Sequence, residues 1–203
     1  MELGIIYVLS NPAMPGLVKI GKTARGSVNI RLGELYSTGV PVPFECEFAG
    51  RIADESKVER AFHLAFGPYR INPKREFFQI EPEQAIALLE LMVSEDVTPQ
   101  VAKEADEVDV ESKPAANKLR KRRTKQNFIE MGLDIGDTIQ FIPFEAACLI
   151  ESESKVRYEG LIMSLTALTK QLLESDRPVR PAPHWTYKGK KLSSIYDETY
   201  DTQ

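Results

Sequence analysis

Five polar side chains within the first 76 positions could together hydrolyse a phosphodiester: Tyr7, Lys19, Lys22, Arg31 and Glu76. This reaction needs a group that assists the attacking water, cations that stabilise the charge on phosphorus, and a metal ion at the leaving oxygen. A phenol, three cations and a carboxylate supply groups of each kind. Taken singly, each residue has an ordinary structural explanation, such as a tyrosine at the rim of a core or a solvated surface charge.

The spacing of these residues carries more information than their types. Residues 4–7 are Gly-Ile-Ile-Tyr, residues 19–23 are Lys-Ile-Gly-Lys-Thr, and residues 75–78 are Arg-Glu-Phe-Phe. With Arg31 between them, this series resembles the GIY-YIG nuclease family over residues 3–93, in the phage-type branch where Lys-Ile-Gly replaces Tyr-Ile-Gly. The combined spacing is more specific than any one short motif. The resemblance implies a metal-dependent DNA endonuclease.

The resemblance also implies a role for each residue. Tyr7 would lie beside the attacking water, and Lys19 would favour its phenolate or orient the water, since a nearby cation stabilises an anion. Lys22 and Arg31 would meet the phosphate, the arginine by pairing with a non-bridging oxygen. Glu76 would be the one acidic ligand of Mg²⁺ or Mn²⁺, with water and substrate phosphate completing the coordination.

A second pair of candidates lies on the next helix. Glu59 and His63 are four residues apart and therefore project from one helix face. Many phage-type relatives carry Glu-x-x-x-His here, which adds His63 to the candidate catalytic residues as a proton shuttle or a hydrogen-bond partner of Tyr7. A pair that only fixes local geometry is an equal alternative. The sequence departs from several family members by lacking an asparagine in 81–93.

The elements that must position these residues are predicted from hydrophobic periodicity. Strands are expected at 4–10, 17–22, around 44–48 and at 77–80, and helices are expected after Ser27, after Asp54 and from 81 to 93. Phe44, Cys46 and Phe48 alternate with glutamates and are expected on one strand face. Together these elements predict an α+β domain over 1–93 with a small sheet and flanking helices. The resemblance implies that this sheet is GIY-YIG-like.

Residues 94–127 have the composition of a charged linker. Seven acids fall within 94–113, and six of the eight residues at 118–125 are basic. The basic residues are candidates for nucleic-acid binding through phosphate contacts without sequence readout; they are Lys118, Arg120, Lys121, Arg122, Arg123 and Lys125. Charge balance against the acidic run is an equal alternative.

Residues 128–203 predict a second small β-rich α+β domain. A strand meander is expected over 139–158, a helix capped by Ser164, and a final strand-turn segment around Trp185. Three features stand out in this region: Gly136-Asp137 at the start of a strand, the helix start at 164–168, and the closing Trp185-x-Tyr187-x-Gly189-x-x-Leu192. With these features, residues 128–196 resemble the module found next to restriction adenine methylases, which implies a DNA-associated accessory domain. The alternative for Trp185 is that it simply anchors the core of this domain.

Composition narrows the remaining function classes. The net charge of −4 and the isoelectric point near 5.4 argue against non-specific coating of nucleic acid. Two distant cysteines, Cys46 and Cys148, fit no metal spacing and indicate a reducing compartment. No apolar run is long enough to span a bilayer, and no secretion signal is visible, so a cytoplasmic location in a bacterial or phage-infected cell is expected.

Two other classes of function fit the same sequence. The nuclease scaffold could be inactive and serve as a DNA-binding or regulatory module of a phage or mobile element. Alternatively, 128–203 could dock a protein partner, with DNA incidental to the function.

Overall fold

The N-terminal sheet is built around strand β1 (Gly4–Ser10), which is apolar along most of its length. The computed structural model describes residues 3–23, 36, 40–121 and 125–200. In it, β1 lies at the centre of a five-stranded antiparallel sheet, whose strands in spatial order are Phe77–Phe78, Val18–Thr23, β1, Glu45–Ile52 and Glu95–Asp96. A short continuous apolar run is typical of a strand buried on both faces, and both faces of β1 are covered.

The first of two compact units comprises Met1–Arg123. Its other elements are β2 (Val18–Thr23), β3 (Glu45–Ile52), α1 (Glu55–Ala65), a 3-10 turn (Gly67–Tyr69), β4 (Phe77–Phe78), α2 (Pro82–Glu90), β5 (Glu95–Asp96), α3 (Thr98–Glu107) and α4 (Lys113–Lys121). The strands predicted at 4–10 and 17–22 are confirmed, and so is the Asp54 cap, whose carboxylate accepts the Lys57 backbone N–H. The helix predicted after Ser27 lies outside the described residues.

The two faces of this sheet pack against different elements. On one face, Ile6 and Val8 of β1 share a core with Phe62 of α1 and Leu89 of α2. On the other face, Ile5, Tyr7 and Leu9 share a core with Val97 and, from α3, Val101 and Ala105. Because successive side chains of a strand point to opposite faces, neighbouring residues of β1 belong to separate clusters.

A bulge in β3 changes the face on which its side chains lie. Val8 pairs with Phe48 but the next residue, Leu9, pairs with Cys46, so Glu47 is the additional residue. Phe44 and Cys46 therefore belong to the α3 face and Phe48 to the opposite face. The expectation that these three residues share one face was wrong for this reason.

Part of the segment expected to be a charged linker packs against the sheet. Strand β5 pairs with β3, and the Thr98 hydroxyl accepts a hydrogen bond from the Ala49 backbone N–H at 2.9 Å. Val97, Val101 and Ala105 are buried at helical spacing. Their burial stabilises α3 against the sheet despite the acidic residues on its outer side.

The second unit comprises Thr124–Gln203 and holds a six-stranded antiparallel sheet. Its strands in spatial order are Lys190–Lys191, Trp185–Tyr187, Thr138–Phe141, Ala146–Ile150, Lys155–Tyr158 and Leu161–Ser164. Its elements are β6 (Thr138–Phe141), β7 (Ala146–Ile150), β8 (Lys155–Tyr158), β9 (Leu161–Ser164), α5 (Leu165–Leu172), a 3-10 turn (Ala182–His184), β10 (Trp185–Tyr187), β11 (Lys190–Lys191) and α6 (Leu192–Tyr200). The meander and the Ser164 cap are confirmed; β9 was not predicted.

The α+β fold class predicted for the chain is confirmed by these two sheets and their helices. Within the described ranges, no helix combines the length and the apolar character needed to cross a bilayer. Cys148 is buried, and this burial raises the pKa of its thiol to about 12, so it behaves as a small apolar side chain.

Candidate functional site

The ring of Tyr7 lies directly over Gly21. Tyr7 on β1 is paired with Gly21 on β2, and a Cβ atom added to Gly21 would lie 2.7 Å from Cε2 and 2.8 Å from Oη of the tyrosine. Such distances are too short for any side chain larger than glycine. Tyr7 and Gly21 therefore depend on each other: the second motif needs its glycine because the tyrosine ring of the first motif lies over that position.

Lys19 lies on the same face of β2, two residues from Gly21 and thus about 7 Å along the strand. Its side chain is only 5% exposed, and its ammonium forms an ion pair with the Glu76 carboxylate. The ammonium also lies 5.5 Å from the centre of the Phe77 ring, within the range of a cation–π contact. These two partners offset part of the cost of burying the ammonium group.

A tight turn brings Glu76 to this lysine. The Asn72 side chain accepts the backbone N–H of Lys74 at 2.9 Å, and the Asn72 carbonyl accepts that of Arg75 at 2.9 Å. The Arg70 side chain holds the end of the turn by donating to the Arg75 carbonyl at 2.6 Å. The chain then continues into β4, where Phe77 pairs with Lys19. Glu76 is 32% exposed and can be reached from solvent.

Lys22 occupies the other side of the sheet. Its ammonium donates to the Ser56 hydroxyl at 2.6 Å and lies 3.3 Å from the Glu59 carboxylate, both on α1. Three residues separate Lys22 from Lys19, so strand alternation places the two side chains on opposite faces. The structure therefore does not bring Lys22 together with Tyr7 and Lys19.

His63 lies on the same side as Lys22. Its Nε2 is 3.2 Å from the carbonyl oxygen of Ile20, and its ring centre is 5.2 Å from that of Phe78. Phe78 belongs to the core on the α1 face. His63 is therefore on the opposite side of the sheet from Tyr7, which does not fit the suggestion that it is a hydrogen-bond partner of Tyr7 and does fit the alternative that it fixes local geometry.

Several predicted residues cannot be placed at the site. Arg31 lies outside the described residues, and so do Arg122 and Arg123. In the basic segment, Lys118 is exposed on α4, where it lines a small cavity of about 240 Å³ with Val42 and Leu119. Arg120 and Lys121 belong to the last turn of α4, and Lys125 is exposed. The phosphate-binding role of this segment stays a prediction.

The tyrosine-over-glycine contact and the buried lysine–glutamate pair lie within one stretch of chain that matches a family model. Residues 4–93 match the T5orf172 domain. This family is a phage-associated domain of the nuclease-like type. No curated protein and no solved structure matches the chain.

A divalent cation held by residues 4–93 would need oxygen donors that solvent can reach. Among the residues described, no three His, Cys, Asp or Glu side chains cluster as a preformed metal site would require. Mg²⁺ is nevertheless commonly held by one carboxylate, with water and substrate phosphate as its other ligands. Glu76 supplies a hard, solvent-accessible oxygen donor of that type, and it fits this sparse arrangement.

Trp185 of the second unit is a core residue. It is completely buried, and its indole N–H donates to the Thr169 hydroxyl at 2.8 Å, which itself donates to the Leu165 carbonyl at 2.7 Å. Trp185 thus lies where the alternative interpretation expected it, in the core of the second unit. The DNA-associated role of 128–203 stays a prediction.

Three residues that bind a candidate side chain or hold the turn before Glu76 were not identified from the sequence. Ser56 binds Lys22, Asn72 closes the turn before Glu76, and Arg70 holds that turn in place. An Asn-Pro pair at 72–73 is a turn signal that could have identified the loop. No local signal identifies Ser56 or Arg70, because their partners are distant or are backbone atoms.

Proposed function

We propose that residues 4–93 form a metal-dependent DNA endonuclease of the GIY-YIG type, in the phage-type branch with Lys-Ile-Gly as its second motif. The observation that carries this proposal is the arrangement on one sheet face: the Tyr7 ring over Gly21, with the Lys19–Glu76 pair alongside. The match of this segment to a nuclease-like phage domain supports the same class of reaction.

In the proposed reaction a water attacks phosphorus and the bond to the leaving sugar oxygen breaks. The phenolate of Tyr7 takes a proton from the attacking water, and the nearby Lys19 ammonium favours that phenolate. Glu76 fixes the ammonium in place on the same face. Arg31, assigned from its sequence position, would pair with a non-bridging phosphate oxygen.

Glu76 is the residue that would hold Mg²⁺ or Mn²⁺. A bound divalent cation supplies Lewis-acid stabilisation of charge on the phosphate and leaving oxygens. The ion pair with Lys19 means that Glu76 would serve two cations, which limits how far its carboxylate can move. Lys22 has no direct part in this scheme, because its ammonium is held by Ser56 and Glu59 on the other face.

The rest of the chain is proposed to add DNA affinity. The basic segment at 118–125 would contact phosphates, giving binding that weakens as salt concentration rises. Residues 128–203 would act as a DNA-associated accessory domain. Neither region is assigned a chemical step.

The test is a cleavage assay on supercoiled plasmid and on single-stranded DNA, with Mg²⁺ or Mn²⁺, comparing the wild type with Glu76→Ala. Metal-dependent nicking that is lost in the variant, with DNA affinity within about threefold, is the expected result; loss of one charge-stabilising group typically slows a reaction by about 100- to 1000-fold. Cleavage retained by the variant would exclude Glu76 as the metal ligand.

A second candidate is an inactive scaffold that binds DNA as a regulatory module. The observation in its favour is that the Lys19 ammonium already neutralises the candidate metal ligand. Gel-shift assays with and without metal distinguish the two candidates. Tight binding that needs no metal, without any turnover, would favour the inactive scaffold.

A further inference from the structure

We propose that Glu59 and His63 are positioning residues that hold strand β2 at the register and depth which the Tyr7–Lys19–Glu76 face requires. The proposal rests on the proposed function of that face, because it assigns these two residues a supporting part in the same site. Neither side chain would touch the substrate.

The first contact is made by His63 at an open strand edge. Strand β4 pairs with β2 only at Val18 and Lys19, so the β2 edge beyond Lys19 has no strand partner from β4. At that point Ile20 donates its backbone N–H to the Glu76 carbonyl at 3.2 Å, and its own carbonyl meets His63 Nε2 at 3.2 Å. His63 therefore binds a backbone group that would otherwise lose its partner where β4 ends.

This contact links His63 to the backbone of Glu76 through a single residue, Ile20. The backbone N–H of Ile20 donates to the Glu76 carbonyl, and the Ile20 carbonyl meets His63 Nε2 at the same strand edge. The neighbouring Lys19 binds the Glu76 side chain. The Nε2 of His63 must carry the proton to donate to a carbonyl. Packing of the His63 ring near Phe78 fixes the direction of that donor.

The second contact is made by Glu59, one helical turn earlier. Its carboxylate is 3.3 Å from Lys22 Nζ, and Ser56 accepts a hydrogen bond from the same ammonium at 2.6 Å. The Glu59 side chain is only 13% exposed. This polar contact is thus largely shielded from solvent, which strengthens it relative to a surface ion pair.

The spacing of the two contacts explains why they can act together. Four residues of helix rise by about 6 Å, and two residues of strand rise by about 6.6 Å. Glu59 and His63 therefore meet Lys22 and Ile20 in matching steps, with α1 running antiparallel to β2. Gly21 lies between Ile20 and Lys22 on β2, and Lys19 precedes Ile20. Both belong to the opposite face of the sheet, the face of Tyr7.

The position of β2 sets the positions of the groups proposed to act on the phosphate. A strand shift of about 1 Å at Gly21 or Lys19 would misplace groups whose alignment decides the rate, and such misplacement costs roughly 100-fold in well-studied enzymes. Loss of these contacts should therefore lower kcat and leave KM and DNA affinity nearly unchanged.

The test compares His63→Ala, His63→Gln and Leu64→Ala in the full chain. Leu64 is the matched control, because it is on the same helix and 82% exposed. The measurements are exchange of the Ile20 amide hydrogen by NMR, single-turnover cleavage of plasmid DNA, DNA affinity and the free energy of unfolding. We expect His63→Ala to speed Ile20 exchange about fivefold, the factor one hydrogen bond is worth, and to slow cleavage at least about tenfold. Glutamine, which retains an N–H donor, should restore part of both.

Other results would overturn the proposal in separate ways. Ile20 exchange equal to that of Leu64→Ala would show that His63 does not hold the strand. Faster exchange with unchanged cleavage would show that the strand position does not matter for the reaction. If the wild type cleaves no DNA, the proposed function fails, and the exchange data alone still decide whether His63 holds β2. Should His63→Ala not fold, Glu59→Gln and His63→Gln provide the same comparison.

Discussion

The two faces of the N-terminal sheet use polar residues in opposite ways. On the α3 face, the aromatic ring of Tyr7 and the ammonium of Lys19 are buried beside Glu76, which solvent can reach. On the α1 face, the polar side chains of Glu59 and His63 bind the strand itself. One strand, β2, contributes to both faces through alternate residues.

Alternate residues of one strand motif can therefore serve different purposes, because they lie on opposite faces of the sheet. In Lys-Ile-Gly-Lys, the first and third residues serve the Tyr7 face, while the fourth, Lys22, pairs with α1. A short motif is therefore not a list of residues that meet at one point. Strand geometry decides which of its members can share a site.

The substitution with the largest expected effect is Gly21→Ala, which tests whether the Tyr7 face tolerates any side chain beneath the ring. The new methyl group would lie 2.7 Å from Tyr7 Cε2, and overpacking of this kind typically costs about 1–3 kcal/mol. We expect the free energy of unfolding in urea to fall by about 3 kcal/mol, and cleavage to fall with it because the ring is displaced.

Two other glycines serve as controls for that substitution. A Cβ at Gly67 would meet nothing within 4 Å, so Gly67→Ala should change stability by less than about 1 kcal/mol. At Gly4 the neighbouring atoms belong to the end of the flexible Glu55 side chain, which can move aside. Equal effects of Gly21→Ala and Gly67→Ala would contradict the tyrosine-over-glycine contact.

The next prediction concerns the asymmetry of the Lys19–Glu76 pair. Lys19 is 5% exposed and Glu76 is 32% exposed, so removing the anion leaves a buried charge, whereas removing the cation leaves a partly hydrated one. Glu76→Gln should therefore destabilise the fold by about 3 kcal/mol, more than Lys19→Met does. The measurement is urea unfolding of both variants.

The exposed ion pair Arg51–Glu95, with Nε and Oε2 at 3.0 Å, is the matched control. Glu95 is 61% exposed, so Glu95→Gln should change stability by less than about 1 kcal/mol. If Lys19→Met proves the more damaging of the two site variants, Lys19 is not the buried member of the pair, and the account of this face is wrong.

The smallest predicted effect concerns a partly exposed polar pair in the second unit, Tyr187 and Asp137, which has no part in the proposed site. The Tyr187 hydroxyl donates to Asp137 at 2.6 Å and the Asp134 backbone N–H donates at 2.9 Å; together, with the hydroxyl contributing most, they lower the pKa of the Asp137 carboxyl. A lowered pKa in the folded state adds stability above the unfolded pKa, which is lost as pH falls through the folded value.

Tyr187→Phe should therefore destabilise the protein at neutral pH, and the difference from the wild type should disappear below the folded pKa of Asp137. Unfolding experiments across acidic pH, with an NMR titration of the Asp137 carboxyl, provide the check. A difference that stays constant with pH would show that the hydroxyl contributes by packing alone. Cleavage should be unchanged, since no chemical role is assigned to this pair.

Much of the fold followed from the sequence because it depends on local signals. Strand boundaries at 4–10 and the caps at Asp54 and Ser164 follow from apolar runs and side-chain hydrogen bonds between near neighbours. The bulge at Glu47 could not be predicted, since it arises from the pairing of β3 with β1. The helix α3 was not predicted, because the acidic residues of this segment indicated a linker, although Val97, Val101 and Ala105 have helical spacing.

The site was predicted only in part, for a similar reason. Tyr7, Lys19 and Glu76 were grouped from motif spacing. The structure forms the Lys19–Glu76 pair, and Lys19 lies on β2, which pairs with the strand that carries Tyr7. Lys22 was grouped with them by resemblance, although strand alternation alone places it opposite. The partner of His63 is a backbone carbonyl 43 positions away, and no sequence pattern specifies such a contact.

Phosphodiester hydrolysis at the Tyr7 face is the proposal on which the other predictions for this site depend. Its most direct test is the single-turnover rate of DNA cleavage by Tyr7→Phe, with Tyr69→Phe, 53% exposed, as the matched control. We predict at least about a 100-fold slower rate for Tyr7→Phe, with the control and the DNA affinity of both variants unchanged. Equal rates for the two variants, or a wild type that cleaves no DNA with any metal, would contradict the account.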